Sequence, residues 1–299
     1  MSRLKPADLP RLSDRYPCIY LERLRIDRRG NALLLLDHEG ETLLPMTQLA
    51  FIMLGPGCTV THAAVSLMSE CGASLLWVGE GGVRFYAGGA ALTASNRLAL
   101  RQAELSITPK GRLAAARVLY GKRFPDEDLS GATMKQLLGM EGRRMAAVYK
   151  EQAELHGVEW SGRQSRGCDP VNTALTEANQ CLYGLAWAVV SALGLSPALG
   201  FIHNGNQRSL LFDLADLYKA EISIPLAFSL AKTPLPQVRD LAHKRMVAAM
   251  GRARLLGRCV SDTLDVLDAS PDWLDGDGCR LNTGGGSTIA SGGNLGDRW

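Results

Sequence analysis

Residues 171–194 read VNTALTEANQCLYGLAWAVVSALG, apolar along almost their whole length and bounded in front by Asp169-Pro170. A segment of this kind is a helix that runs through the middle of a domain. The aspartate offers an oxygen to first-turn N–H groups, and proline, with its fixed φ, suits the first helical position. The same opening recurs at Thr108-Pro109 and Thr233-Pro234 and predicts two further helix starts. MKQLLGMEGRRMAAVYKEQAEL (134–155) reads as a second long helix, and ALTASNRLALRQAEL (91–105) begins a helical pattern after Gly88-Gly89.

Upstream of those glycines the pattern changes. CIYLERLRI (18–26) and NALLLLD (31–37) are strands joined through Asp27-Arg-Arg-Gly30, and His38-Glu-Gly40 leads into ETLLPM, so this part reads as hairpins. A buried strand LAFIML, a short helix over THAAVSLMSEC, and the strands SLLWVG and VRFYA around Glu80-Gly-Gly82 complete it. The predicted fold is α+β: a β-rich domain over residues 1–92, a larger all-α domain over 93–274, and a Gly-rich flexible tail over 275–299. The tail has few large apolar residues and no periodicity.

A chain of 299 residues, 46% hydrophobic, is long enough to bury a core in each of two domains. No uninterrupted apolar run approaches a membrane span and the first thirty residues are broken by charges, so neither membrane insertion nor a signal peptide is expected, and the location is expected to be cytoplasmic. Seven scattered cysteines without a C-x-x-C pair fit reduced thiols and argue against a structural zinc site.

The net charge of +3 hides segregation. Seven Lys/Arg (Arg97, Arg101, Lys110, Arg112, Arg117, Lys122, Arg123) face only Glu104 between Ser95 and Arg123, and seven more (Lys232, Arg239, Lys244, Arg245, Arg252, Arg254, Arg258) face Asp240 between Lys232 and Arg258. From Cys259 onward seven aspartates oppose Arg280 and Arg298. One basic helix face is ordinary solvated surface; two suggest a polyanion, most simply nucleic acid.

The chemistry concentrates near LLFDLADLYK (210–219). Asp213 and Asp216 lie about 60° apart on a helix that is otherwise apolar nearly all round. Buried carboxylates want a cation, hydrogen-bond donors or a proton. A salt bridge or a helix-start cap would satisfy them. His203, in GFIHNGNQRS, would sit at the mouth of that helix. Glu141, in LLGMEGRRM, stands beside Gly142, where glycine could permit close backbone approach; alternatively Glu141 is exposed and paired with Arg144. Together Glu141, His203, Asp213 and Asp216 form a set of hard oxygens with one imidazole, suited to Mg²⁺ or Mn²⁺ and, next to basic helices, to phosphodiester chemistry.

IMLGPGCTVTHAAV, LLWVGEGGVRFYA, GMEGRRM, CLYG, ALGFIHNG and LFDLADLYK occur in the order and approximate spacing of the CRISPR-associated integrase of spacer acquisition. From about residue 10 to about residue 260 the chain resembles that family, Cas one, in its type I-E form. The resemblance implies a β domain followed by a helical domain, a homodimer, and assembly with a small ferredoxin-like partner, Cas two, into a heterohexamer. It implies metal-dependent DNA integration, in which the 3′-hydroxyl of a captured double-stranded fragment attacks the CRISPR repeat, together with DNA endonuclease activity. On matching positions Glu141, His203 and Asp216 would be the ligands of Mg²⁺ or Mn²⁺, with Asp213 supporting them. Arg84, Tyr183, Lys219, Arg239, Lys244 and Arg245 would touch DNA, and the acidic run from Asp262 to Asp277 would dock Cas two.

The chain also departs from the family. Arg23 stands where type I-E members can carry a tyrosine that wedges the duplex end. Thr59 and Ser66 replace expected basic residues, and the loop from Ser161 to Cys168 has no aromatic residue. Two other readings stay open: a stand-alone metal-dependent DNase acting on branched or single-stranded DNA, and a non-catalytic DNA-binding scaffold whose acidic cluster is structural.

Overall fold

The computed structural model describes residues 16–71, 73–79, 85–89, 96–164, 169–269, 280–282 and 288–290. In its N-terminal part the strands are β1 (Tyr16–Leu21), β2 (Arg25–Arg29), β3 (Ala32–Leu36), β4 (Glu41–Pro45), β5 (Leu49–Leu54), β6 (Thr59–Val60), β7 (Ser74–Val78) and β8 (Phe85–Gly89), with α1 (His62–Glu70) between β6 and β7. They form two four-stranded sheets, ordered β1-β5-β7-β8 and β4-β3-β2-β6. β5 is parallel to both β1 and β7, and β8 closes antiparallel on β7. Ile26, Leu33, Met46, Ile52, Leu54 and Leu67 fill the core between these layers.

The expected hairpins β2-β3 and β3-β4 are present. CIYLERLRI, however, is not one strand. Arg23 takes the left-handed region at φ 54° and splits it, sending β1 and β2 to different sheets. The bend is held from outside, because the Arg23 N–H donates to the Pro56 carbonyl at 3.0 Å and the Gly55 N–H to that of Leu21 at 2.7 Å. Gly57, at φ +76°, nests against it: a Cβ there would lie 3.2 Å from the Arg23 Cα. Alternation alone could not reveal this bend, since Arg23 carries no turn signature.

The helical part contains α2 (Arg97–Ile107), α3 (Pro109–Arg123), α4 (Met134–His156), α5 (Pro170–Ala192), α6 (Ser209–Tyr218), a π-helical turn Lys219–Ser223, α7 (Ile224–Ser229), α8 (Leu235–Arg252) and α9 (Leu255–Val266). As its composition predicts, α5 is the central helix. Sixteen of its 23 residues are buried, and α6, α7, α8, α9 and strands β5 and β7 pack around it. Thr108 and Asp169 cap α3 and α5 through their side chains, with proline at the helix start. The Thr233-Pro234 signal places a helix start correctly, but α8 begins at Leu235 and no side chain caps it. Thr133 and Gln136 form a reciprocal capping box on α4, and Gly157 ends that helix at φ 62°. In the tail, β9 (Arg280–Asn282) pairs antiparallel with β10 (Thr288–Ala290). No helix among the described residues is long and apolar enough to cross a membrane.

The α5 cap gives a pH signature. Burial pushes the Asp169 carboxyl up, but hydrogen bonds from the Asn172 backbone and side chain outweigh it and hold the group below its ordinary value. A carboxyl whose folded pKa is lowered stabilises the fold above its unfolded value and loses that contribution as pH falls through the folded one. Asp169→Asn keeps a capping oxygen but does not titrate. Its stability relative to the native chain should therefore improve between about pH 5 and about pH 3, measured by urea unfolding.

Candidate metal and nucleic-acid site

LLFDLADLYK forms α6 and the first residue of the π-helical turn, and its two aspartates have separate surroundings. Asp213 is 1% exposed. Its Oδ2 accepts the Phe201 and Ile202 N–H groups at 2.6 and 3.1 Å, and its Oδ1 accepts the His203 N–H at 2.9 Å and meets His203 Nδ1 at 2.8 Å. One carboxylate thus folds the 201–203 segment onto α6. Gly200 permits it, since a Cβ there would stand 2.5 Å from the His203 carbonyl and 2.9 Å from Asp213 Oδ2. The expectation that Gly142 serves close approach is corrected, because a Cβ at Gly142 would meet open space.

A carboxylate can only accept, so His203 Nδ1 carries the proton and Nε2 is left for another partner. The hydrogen bond to Asp213 is the main cause raising the His203 pKa. Burial opposes it, and the charges of Asp213 and Asp216 add to the rise. The ring packs edge-on against Phe212 with centroids 5.6 Å apart.

Asp216 faces Lys219, whose Nζ lies 2.5 Å from Asp216 Oδ1. The pair is largely buried, at 20% side-chain exposure for Lys219 and 12% for Asp216. Lys219 also stands 5.5 Å over the ring of Tyr183, which meets Phe212 edge-on. Burial pulls the lysine pKa down, but Asp216 and Tyr183 together raise it, so the ammonium stays charged. Lys219 and Tyr183 therefore lie beside the predicted ligand Asp216.

Glu141, on α4, is held from α3. Tyr120 Oη donates to Oε2 at 2.7 Å and Arg123 Nη1 to Oε1 at 2.6 Å. Burial first, then the bond to Glu141, raises the Tyr120 pKa, and the charge of Asp216 reaches the same phenol. The anticipated Glu141–Arg144 pair does not form, since Arg144 turns to Glu127 at 2.6 Å and stacks 4.8 Å over Phe124. Arg123 and Asp216 line one open groove of about 470 Å³ together with Lys122, Phe124, Arg144 and Glu221.

Glu141, His203 and Asp216 thus come from three separate elements, each oriented by a named partner. They are not within 4.8 Å of one another; among the described residues the trio that is so gathered is Glu177, Cys181 and His243. The residues nonetheless fit a divalent cation: two carboxylates and an imidazole, with cationic Arg123 and Lys219 balancing the acids. Tyr120, Arg123 and Gly200 escaped the sequence reading. Arg123 was visible only as one charge in a basic run, and the other two carry no local signature.

The basic stretches also divide. In the first, Arg101, Arg112 and Arg117 donate to backbone carbonyls of Leu267, Phe201 and Ala132, and Lys122 pairs with Asp262 and Asp265. Much of its charge therefore serves the fold, and part of the acidic run predicted from Asp262 is its partner. In the second, Arg239, Lys244 and Arg245 lie exposed on α8, with Lys244 paired to Asp240 one turn away at 2.9 Å. Arg84 lies outside the described residues.

The chain is similar to known proteins in sequence and in fold. The profile of the family described as CRISPR associated protein Cas1 matches residues 122–246, the segment holding Glu141, His203, Asp213 and Asp216. A CRISPR-associated endonuclease Cas1 of Clostridium sp. (strain SY8519) is 42% identical over 228 residues, 75% of this chain and 76% of that protein. CRISPR-associated endonuclease Cas1 2 of Thermus thermophilus is 39% identical over 264 residues, 87% of this chain and 81% of its own length. The crystal structure of a TtCas1–DNA complex superposes with a TM-score of 0.79 at 36% identity, covering 92% of this chain and 99% of the other. With one fold shared along nearly the whole chain and identity above a third, the protein belongs to the Cas1 family.

Proposed function

We propose that this protein is a metal-dependent DNA integrase and endonuclease of CRISPR adaptation, of the type I-E form, with Glu141, His203 and Asp216 holding Mg²⁺ or Mn²⁺. The observation that carries the reading is that Asp216, ion-paired to Lys219, lines one groove with Arg123, the partner of Glu141. Bound there, a divalent cation would polarise the phosphodiester and neutralise charge in the displacement. Asp213 orients His203 through Nδ1, leaving Nε2 for the cation. Tyr120 and Arg123 fix Glu141. In integration the 3′-hydroxyl of the incoming strand loses its proton and forms the new P–O bond, while the repeat strand departs as a 3′-hydroxyl. No covalent enzyme intermediate is needed.

The partners follow the same reading: a homodimer, two of which join Cas two in a heterohexamer, acting on a double-stranded fragment and repeat DNA. On the same reading residues 1–92 would be the β-rich domain, 93–274 the catalytic domain and 275–299 the tail, of which 1–15 and, toward the C-terminus, 270–279, 283–287 and 291–299 lie outside the described residues. Support comes from relatives named as endonucleases and from a relative crystallised with DNA. The test is integration of a short duplex with free 3′-hydroxyls into a supercoiled repeat-bearing plasmid, with Cas two and either metal. Full activity in excess chelator would sink the proposal.

On this reading Arg239, Lys244 and Arg245 neutralise phosphates, and Tyr183 and Lys219 act nearer the cleaved bond. The double change Lys244→Ala and Arg245→Ala should reduce the slope of log affinity against log salt by about 2, roughly 0.9 per lost phosphate contact. Fluorescence anisotropy of a labelled duplex over a KCl series checks this. An unchanged slope would mean that α8 faces away from the DNA.

A further inference from the structure

Away from that groove, α5 and α8 enclose a second group of ligand-type side chains that the proposed chemistry does not use. Glu177 and Cys181 lie one turn apart on the same face of α5, and His243 projects from α8 between them. His243 Nδ1 stands 3.5 Å from Glu177 Oε1 and 3.5 Å from Cys181 Sγ, and all three ligand atoms fall within 4.8 Å of one another. Glu177 is 1% exposed, and its other oxygen, Oε2, is buried with no hydrogen-bond partner.

We propose that Glu177, Cys181 and His243 form a zinc site that ties α5 to α8, with a water molecule as the fourth ligand. A buried carboxylate costs several kcal/mol unless its charge is compensated; His243 meets Oε1 only at 3.5 Å, and a divalent cation on the carboxylate would neutralise the charge that Oε1 and Oε2 share. The spacing matches the ion. Zn–S near 2.3 Å and Zn–N or Zn–O near 2.0–2.2 Å at the tetrahedral angle put N and S about 3.6 Å apart, and N and O about 3.4 Å. One thiolate, one imidazole and one carboxylate suit zinc and disfavour Mg²⁺ or Mn²⁺, which prefer all-oxygen surroundings. Burial pushes the Glu177 carboxyl up, and the hydrogen bond and charge of His243 oppose it, as does the charge of Arg239. The Tyr20 ring, from β1, packs on the His243 ring with centroids 5.4 Å apart, so the site also braces the N-terminal sheet against the helical core. The sequence expectation of no zinc site rested on the absence of a C-x-x-C pair. An i, i+4 Glu/Cys pair completed by a distant histidine has no such signature.

The test uses the full chain carrying Glu141→Ala and Asp216→Ala, so that the groove cannot hold the metal counted. Purified without chelator and dialysed, it should retain about one zinc per chain by mass spectrometry. After exchange with Co²⁺ it should show intense tetrahedral visible bands and a thiolate-to-cobalt charge-transfer band in the near ultraviolet. Adding Cys181→Ser should abolish the charge-transfer band, and adding His243→Ala should lower retained zinc at least tenfold. Circular dichroism confirms that each variant is folded. Because a core variant can fail to fold, the thermal midpoint of the parent is also read with and without zinc after stripping, and zinc should raise it. No retained zinc together with an unchanged midpoint, or a cobalt spectrum without a thiolate band in the parent, overturns the proposal.

Discussion

Asp216→Asn is expected to lower integration and DNA cleavage by about 10³-fold or more while leaving the fold intact, because a bound cation supplies several kcal/mol of transition-state stabilisation and an amide holds it poorly. The change also removes the counter-charge of Lys219, which is only 20% exposed, so some stability is lost as well. The double variant Asp216→Asn, Lys219→Met separates the two effects. It should recover most of the lost stability, since both charges are gone, and none of the activity. Product formation under saturating Mn²⁺ and urea midpoints on the same preparations provide both readings. Turnover near the native rate in the single variant would remove Asp216 from the metal site.

Asp213→Ala should instead act first on stability, with a loss of about 3–5 kcal/mol. It strands three backbone N–H groups at Phe201, Ile202 and His203, and frees the His203 ring. Asp213→Asn should cost about 2 kcal/mol, because one of its two polar atoms becomes a donor facing donors. Activity should fall in both, through loss of the His203 orientation. Urea denaturation at constant slope measures the first effect, and a loss below about 1 kcal/mol for Asp213→Ala would contradict the role drawn from its four contacts. The two aspartates, three residues apart on one helix, are thus expected to fail in different ways: Asp213 by unfolding its loop, Asp216 by losing its ion.

Much of this was visible before any coordinates. The apolar run 171–194 and the Asp169-Pro170 start identify the central helix, and the glycines at 88 and 89 fall where strands give way to helices. The hidden features depend on contacts distant in sequence. Arg23 bends because residues 55–57 hold it, and Gly200 matters because Asp213, thirteen residues later, folds back onto it. The basic run 97–123 read as a nucleic-acid surface, yet much of it is consumed by carbonyls and by Asp262 and Asp265. Composition reports charge, whereas only packing reports which charge is already paired.

The sequence by itself determined the α+β class, the helix starts whose caps are local, and the family, because these depend on patterns within a few turns of chain or on ordered motifs. Tertiary structure alone decided which acid does what. Asp213 and Asp216 are chemically identical and occupy one helix, but four donors saturate the first while the second pairs with Lys219 at the wall of the groove. That difference arises from desolvation and partner geometry, which depend on elements brought together from across the chain. It is the same reason that Glu177, Cys181 and His243 read as unrelated residues until α5 and α8 pack.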